Sequence, residues 1–199
     1  MQRLLIATGN AHKTREFAEI LGREFEVCDL SSVPDARKVE ETGTTFEENA
    51  VLKALAASQD RPLLVAADDS GLEVDALDCA PGIYSARYSG PDATDEQNVD
   101  KLLSELARRN ISRPKLTARF RCVIALAKEG ELLKTFEGVV EGVIIDLPRG
   151  EHGFGYDPIF VPKGFDRTFA ELPPETKNKI SHRAQAARKL AHHLSNRLP

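Results

Sequence analysis

Leu4-Leu5-Ile6-Ala7 is an unbroken apolar run followed by Thr8-Gly9-Asn10, which reads as a buried strand entering a turn. Apolar residues then recur at Phe17, Ile20 and Leu21, three and four apart, with Gly22 where helices commonly end; a helix is expected from Lys13 onward. Thr45-Phe46-Glu47-Glu48 has the Thr-x-x-Glu spacing in which each end satisfies a backbone donor of the other, so a second helix should carry Ala50, Lys53, Ala54 and Ala57. After Pro62, residues 63–67 are apolar on both faces, which predicts an interior strand that stops at Asp68-Asp69-Ser70-Gly71.

Thr94-Asp95-Glu96-Gln97 repeats the capping pattern ahead of Val99, Leu102, Leu103 and Leu106. Residues 117–127 and 132–145 are rich in β-branched and apolar side chains around Lys128-Glu129-Gly130-Glu131, and predict two long antiparallel strands joined as a hairpin. A glycine-rich stretch over 150–155 leads to a short strand at 158–161. Pro173-Pro174 then opens one closing helix with Ile180, Ala184, Ala187, Ala191 and Leu194 on a face. No repeat, linker or low-complexity tract interrupts the alternation, so the 199 residues are expected to form a single α/β unit with a mixed sheet.

Composition narrows the function class. Apolar residues are 41% and charged residues 29%, ordinary for a folded globular chain. The longest apolar run, residues 122–127, is six long, against the roughly 18 that a membrane-spanning helix needs. The only apolar stretch after Met1-Gln2-Arg3 is too short for a secretory signal, and a cytoplasmic protein is expected. Cys28, Cys79 and Cys122 are odd in number and far apart, so neither a disulfide framework nor a Cys-x-x-Cys site is expected; buried reduced thiols are. Net charge is −4, but from Lys177 onward there are six Lys or Arg, three His and no acid, leaving 21 bases against 31 acids, a net −10, for the remainder. An acidic body argues against broad nucleic-acid binding, while the basic end offers a surface for a small polyanion or is simply a solvated face.

Three stretches carry candidate chemistry. Thr8, Gly9, Asn10, Ala11, His12 and Lys13 join a buried strand to a helix start, where backbone N–H groups and the helix dipole favour an anion; the P-loop spacing is absent, and a plain turn fits the same residues. The neighbouring carboxylates of Asp68 and Asp69 repel unless a cation or donors compensate, and with Glu40-Glu41 nearby a hard oxygen site suits Mg2+ rather than zinc; a helix-capping turn is the other reading. Phe154-Gly155-Tyr156-Asp157 sets aromatics beside glycines, a way to stack a flat heterocycle, or a loop entering a strand. Lys177, His182 and Arg183 are five and six residues apart and not on one stripe. His152, His192 and His193 form no ligand set, and neither a Gly-x-Ser-x-Gly elbow nor a Cys with a base nearby supports covalent catalysis.

In order and spacing, these pieces resemble the inosine/xanthosine triphosphate pyrophosphatase family. The matching stretches are Thr8-Gly9-Asn10 with Lys13, Glu40-Glu41-Thr42-Gly43-Thr44-Thr45-Phe46, Asn49 and Lys53, Asp68-Asp69-Ser70-Gly71-Leu72, residues 80–88, Phe154-Gly155-Tyr156-Asp157-Pro158, and Ser181-His182-Arg183. The resemblance implies an elongated mixed β-sheet with flanking helices, two lobes around a central nucleotide-binding cleft, and a homodimer. It implies Mg2+-dependent hydrolysis of ITP, dITP and XTP to the monophosphate and pyrophosphate, with purine nucleoside triphosphates as partners and neither nucleic acid nor membrane. It further implies that Thr8 to Lys13 hold the triphosphate, that Lys53 helps neutralise it, and that Glu40, Asp68 and Asp69 bind Mg2+. Asp69 looks like the general base, and Ser70, Phe154, Gly155, Tyr156, Asp157, Lys177, His182 and Arg183 like nucleotide contacts.

On that resemblance, a metal-bound water loses its proton to a carboxylate as it attacks the α-phosphorus, and pyrophosphate leaves. A metal-linked Asp69 should keep a depressed pKa, with activity rising toward alkaline pH. Inosine and xanthosine offer a 6-keto oxygen and N1–H, so donors from Lys177, Arg183 or backbone would favour them over adenine, while guanine needs a further exclusion of its 2-amino group. Two other readings are a related nucleotide pyrophosphatase with another base preference and a non-catalytic nucleotide or nucleic-acid binder. The segment 81–88 fits either a subunit contact or a loop lining the core.

Overall fold

The computed structural model describes residues 2–22, 25–33, 39–59, 61–109 and 116–196. Among them the strands β1 (Gln2–Ile6), β2 (Phe25–Asp29), β3 (Leu64–Val74), β4 (Thr117–Lys128), β5 (Glu131–Ile144) and β6 (Phe160–Pro162) form one mixed sheet in the order β2-β1-β3-β4-β5-β6. Five α-helices accompany it: α1 (Ala11–Leu21), α2 (Phe46–Ser58), α3 (Asp95–Arg108), α4 (Pro174–Ile180) and α5 (His182–Ser195). The chain divides into two compact units, one of Met1–Asp69, Cys122–Gly138 and His182–Pro199, the other of Ser70–Arg121 and Val139–Ser181.

In the first unit β1 runs parallel to β2, with Ile6 opposite Asp29, and parallel to β3, with Leu4 opposite Leu64. Leu4, Leu5, Ile6, Val65, Ala66 and Ala67 are fully buried, as a run apolar on both faces requires. Leu4, Ile6, Phe17, Ala66, Ile124, Leu126, Ala187 and Leu190 share one core, on which α1 and α5 pack. Strand β2 went unread: five residues with one buried position and a polar Glu26 between apolar neighbours carry too little periodicity to announce a strand. The hairpin between β4 and β5 is as expected, turning through Glu129 and Gly130 with φ of +52° and +79°, the pairing a tight two-residue turn needs.

The second unit closes a separate core of Leu72, Val74, Leu102, Leu106, Phe120, Ile144, Phe160 and Phe169. Phe120 meets Phe160 edge to face at 4.8 Å between ring centroids. Helix α3 begins with the full capping box, Thr94 accepting from the Gln97 N–H and Gln97 from the Thr94 N–H. Strand β6 pairs antiparallel with β5, Val143 opposite Val161.

Three expectations need correction. Strand β3 does not stop at Asp68 but runs on through Asp69, Ser70 and Gly71 to Val74. The aspartates can stay in an extended strand because cations meet them, and Gly71 can because it has no side chain: a Cβ there would collide with the Gly82 carbonyl oxygen and Ser85 Oγ, while Ser85 Oγ accepts from the Leu72 N–H at 2.9 Å. The closing helix is two helices, α4 and α5, separated by Ser181 with an extended backbone (ψ 158°). Periodicity bridged the break because serine ahead of a helix is a capping residue that the apolar pattern does not register. Lys177 thus belongs to one unit and His182 and Arg183 to the other. Of the three thiols only Cys122 is buried; Cys28 is half-buried and Cys79 exposed.

Candidate active site

Because adjacent residues of an extended strand point to opposite faces, Asp68 and Asp69 reach toward different helices. Asp68 faces α1 and α5. Lys13 Nζ donates to its Oδ1 at 3.1 Å and lies 3.0 Å from Oδ2, and Arg183 reaches Oδ2 through Nη2 at 3.2 Å. Arg183 is 2% exposed, and its Nη1 donates to Glu16, so its guanidinium is spent on two carboxylates. Burial pushes the Asp68 carboxyl up, but Lys13 and Arg183 outweigh it and hold it well below the usual carboxylate range. The same burial raises the Cys122 thiol beside it.

Asp69 faces α2. Lys53 Nζ donates to Oδ1 at 3.2 Å and Asn49 Nδ2 to Oδ2 at 3.2 Å. Lys53 also donates to Glu41 Oε1 at 2.8 Å, and Asn49 Oδ1 accepts the Gly43 N–H at 2.8 Å, so two α2 side chains tie the segment ahead of the helix to the aspartate. Thr45 caps α2 as its sequence predicts, while Glu48 reaches the Thr44 N–H at 2.6 Å. Asp69 is 6% exposed and burial raises its pKa more than Lys53 lowers it, with Glu41 adding to the rise. A depressed value was expected of a metal-linked Asp69; in the protein by itself the direction is upward. Lys53 is itself desolvated, yet Asp69, Asp68 and Glu41 raise it and keep it cationic.

At the helix start, Asn10 Oδ1 accepts from the His12 and Lys13 N–H groups at 2.9 and 3.3 Å, and the Asn10 N–H donates to Thr8 Oγ1. The cap occupies two of the donors that sequence reading offered to an anion, leaving the dipole and the Lys13 ammonium as the attraction there. Thr8 is half-buried, and Gly9, Asn10, Ala11 and His12 are exposed. Glu40 is exposed and its neighbour Glu41 makes the Lys53 contact.

The second unit holds the aromatic group. Lys177, buried on α4, donates through Nζ to Asp157 Oδ2 at 2.6 Å and lies 4.9 Å from the Phe154 ring centroid and 5.8 Å from that of Phe169. Asp157 Oδ2 also accepts the Phe154 N–H at 3.0 Å, and Tyr156 Oη donates to the Ser85 carbonyl at 2.9 Å. Gly155 lies between them, and Ser70 is half-buried on β3. His182 is buried at the start of α5.

Sequence reading therefore names several residues that the structure brings together, but not their pairings. Glu16 was missed altogether, since its partner Arg183 stands 167 positions away and no local pattern links them. Asn49 was visible only as part of a resemblance. For a metal, the chain offers hard oxygen donors at Asp69 and Glu41. Among the described residues no group of three or more His, Cys, Asp or Glu is arranged to hold an ion. The donors fit Mg2+, which commonly takes one or two carboxylates from a protein and completes its shell with water and phosphate.

Comparison with known proteins identifies the family. A dITP/XTP pyrophosphatase of Bacillus subtilis (strain 168) is 51% identical over 192 residues, 96% of either chain. A dITP/XTP pyrophosphatase of Geobacter sulfurreducens is 52% identical over 195 residues, 98% of this chain and 97% of its own. The solved HAM1 protein from Coxiella burnetii superposes with a TM-score of 0.85 at 44% identity, covering 98% of this chain and all of that one. The Staphylococcus aureus Ham1 protein gives 0.86 at 44% identity, covering 99% and 100%. The Ham1 family model matches residues 4–193, and the chain belongs to the Ham1 family.

Proposed function

We propose that the chain is a nucleoside triphosphate pyrophosphatase that hydrolyses ITP, dITP and XTP to the nucleoside monophosphate and pyrophosphate, with Mg2+ as its metal. The observation that carries the reading is the buried Asp69 carboxylate, held by Lys53 and Asn49 and short of full compensation. The names of its relatives support the substrate class. A Mg2+ ion held by Asp69 and Glu41, the carboxylates that meet at Lys53, would neutralise phosphate charge and lower the pKa of a bound water.

The rest follows from the chain's own side chains. Asp69 takes the proton of the water that attacks the α-phosphorus. Lys53 moves its charge from Glu41 and Asp69 toward the phosphates, and Lys13 meets them at the start of α1. These cations stabilise the charge that grows on the pyrophosphate leaving group. Asp68, which faces away from Asp69, orients Lys13, so its part is electrostatic even where a metal is bound. Arg183 acts through Asp68, while Lys177, beside Phe154, supplies a donor for the 6-keto oxygen. A cytoplasmic homodimer belongs to the same proposal, and sedimentation at micromolar concentration tests the dimer.

Incubating wild type and Asp69→Asn with dITP, XTP and ITP in the presence of Mg2+ tests the reaction. Pyrophosphate should appear with wild type and fall by about 10²- to 10⁴-fold in the variant, the range for losing a general base. No release from wild type, or equal rates in both, overturns the proposal. A panel with GTP, UTP and methylated GTP distinguishes another base preference.

A further inference from the structure

The loop 153–157 is secured residue by residue, and one fastening comes from a side chain outside the candidate site. The Phe154 N–H turns inward to Asp157, and Tyr156 reaches Ser85. Between them Gly155, at φ +61°, points its N–H at Asp95 Oδ2, 2.7 Å away and 60 positions earlier in the chain. Asp95 is the first residue of α3, exposed, and spare as a cap because Thr94 and Gln97 already close that helix end. Its carboxylate thus fixes the peptide next to Phe154, and with it the height of the Phe154 ring beside Lys177.

We propose that Asp95 is a positioning residue for the Phe154 loop and so sets the affinity for the purine, an inference that rests on reading this loop as the purine's seat. Asp95 is not among the groups proposed to meet the phosphates or the attacking water. Its loss should therefore act on KM and leave kcat alone.

The test compares Asp95→Ala, Asp95→Asn and Phe154→Ala with dITP and Mg2+. Asp95→Ala should raise KM about fivefold, the worth of one hydrogen bond, with kcat within twofold. Asp95→Asn keeps an acceptor oxygen and should restore the wild-type KM. Inhibition by inorganic tripolyphosphate, which has no base, should be the same in all three. Both Asp95 variants lose the same charge at the α3 terminus, so equal KM values in Ala and Asn would make the effect one of helix charge and overturn the proposal. An unchanged KM in Asp95→Ala while Phe154→Ala raises it overturns the positioning role alone. If neither variant moves KM, the purine-seat reading fails and the proposal with it.

Discussion

Lys13 and Arg183 close on Asp68 from two helices, so replacing that carboxylate by an amide strands cations in a buried place. Asp68→Asn should cost on the order of 3 kcal/mol at pH 7. Because the folded-state pKa of Asp68 is depressed, its contribution is complete above the unfolded value near 3.9 and drains away as pH falls through the folded one. Urea unfolding at pH 7 and pH 3 should show the gap between wild type and variant narrowing in acid; an equal gap at both would contradict the pairing. Asp69 has the opposite sign. Its folded pKa is raised, so the stabilising share is complete below the unfolded value and is lost as pH rises through the folded one, above which the ionised form weighs on stability. Metal-free Asp69→Asn should consequently melt no lower than metal-free wild type at pH 8, while with Mg2+ restored it turns over far more slowly than wild type; a clear drop in Tm would show the carboxylate to be structural.

At the scale of elements, α5 is placed by an absence. A Cβ on Gly138 of β5 would collide with the His182 carbonyl oxygen and come within 2.7 Å of the Ala186 N, so α5 lies directly on the strand. Gly138→Ala should cost about 1–3 kcal/mol by overpacking and reduce activity by shifting Arg183 on Asp68, with thermal melting and pyrophosphate release as the two readouts. The elements themselves were largely legible. Apolar runs announced β1 and the first half of β3, and the Thr-x-x-Glu and Thr-x-x-Gln caps located α2 and α3 to the residue. What periodicity cannot register is a contact between distant residues. The continuation of β3 past Asp68 depends on Lys13, Lys53 and Arg183, and the break at Ser181 depends on α4 and α5 serving different cores. The candidate site was legible as a set of residue types, and its pairings were not, since Glu16, Glu41 and Asn49 acquire roles only when the fold brings Arg183, Lys53 and Asp69 to them.

For the whole molecule, the carboxylates that would face a metal, Asp69 and Glu41, are bridged by Lys53 in the metal-free chain. Chelation by EDTA should abolish pyrophosphate release and leave the far-ultraviolet spectrum and Tm unchanged; a fall in either would mean that the metal holds the fold together.

Strand β3 passes from one compact unit to the other between Asp69 and Ser70, and β4 and β5 also contribute to both. Neither core can melt privately while its neighbour persists, because the same ribbons would have to be ordered and disordered at once. Amide protons of β3 around Asp69, the proposed base, should therefore exchange with deuterium only through global opening.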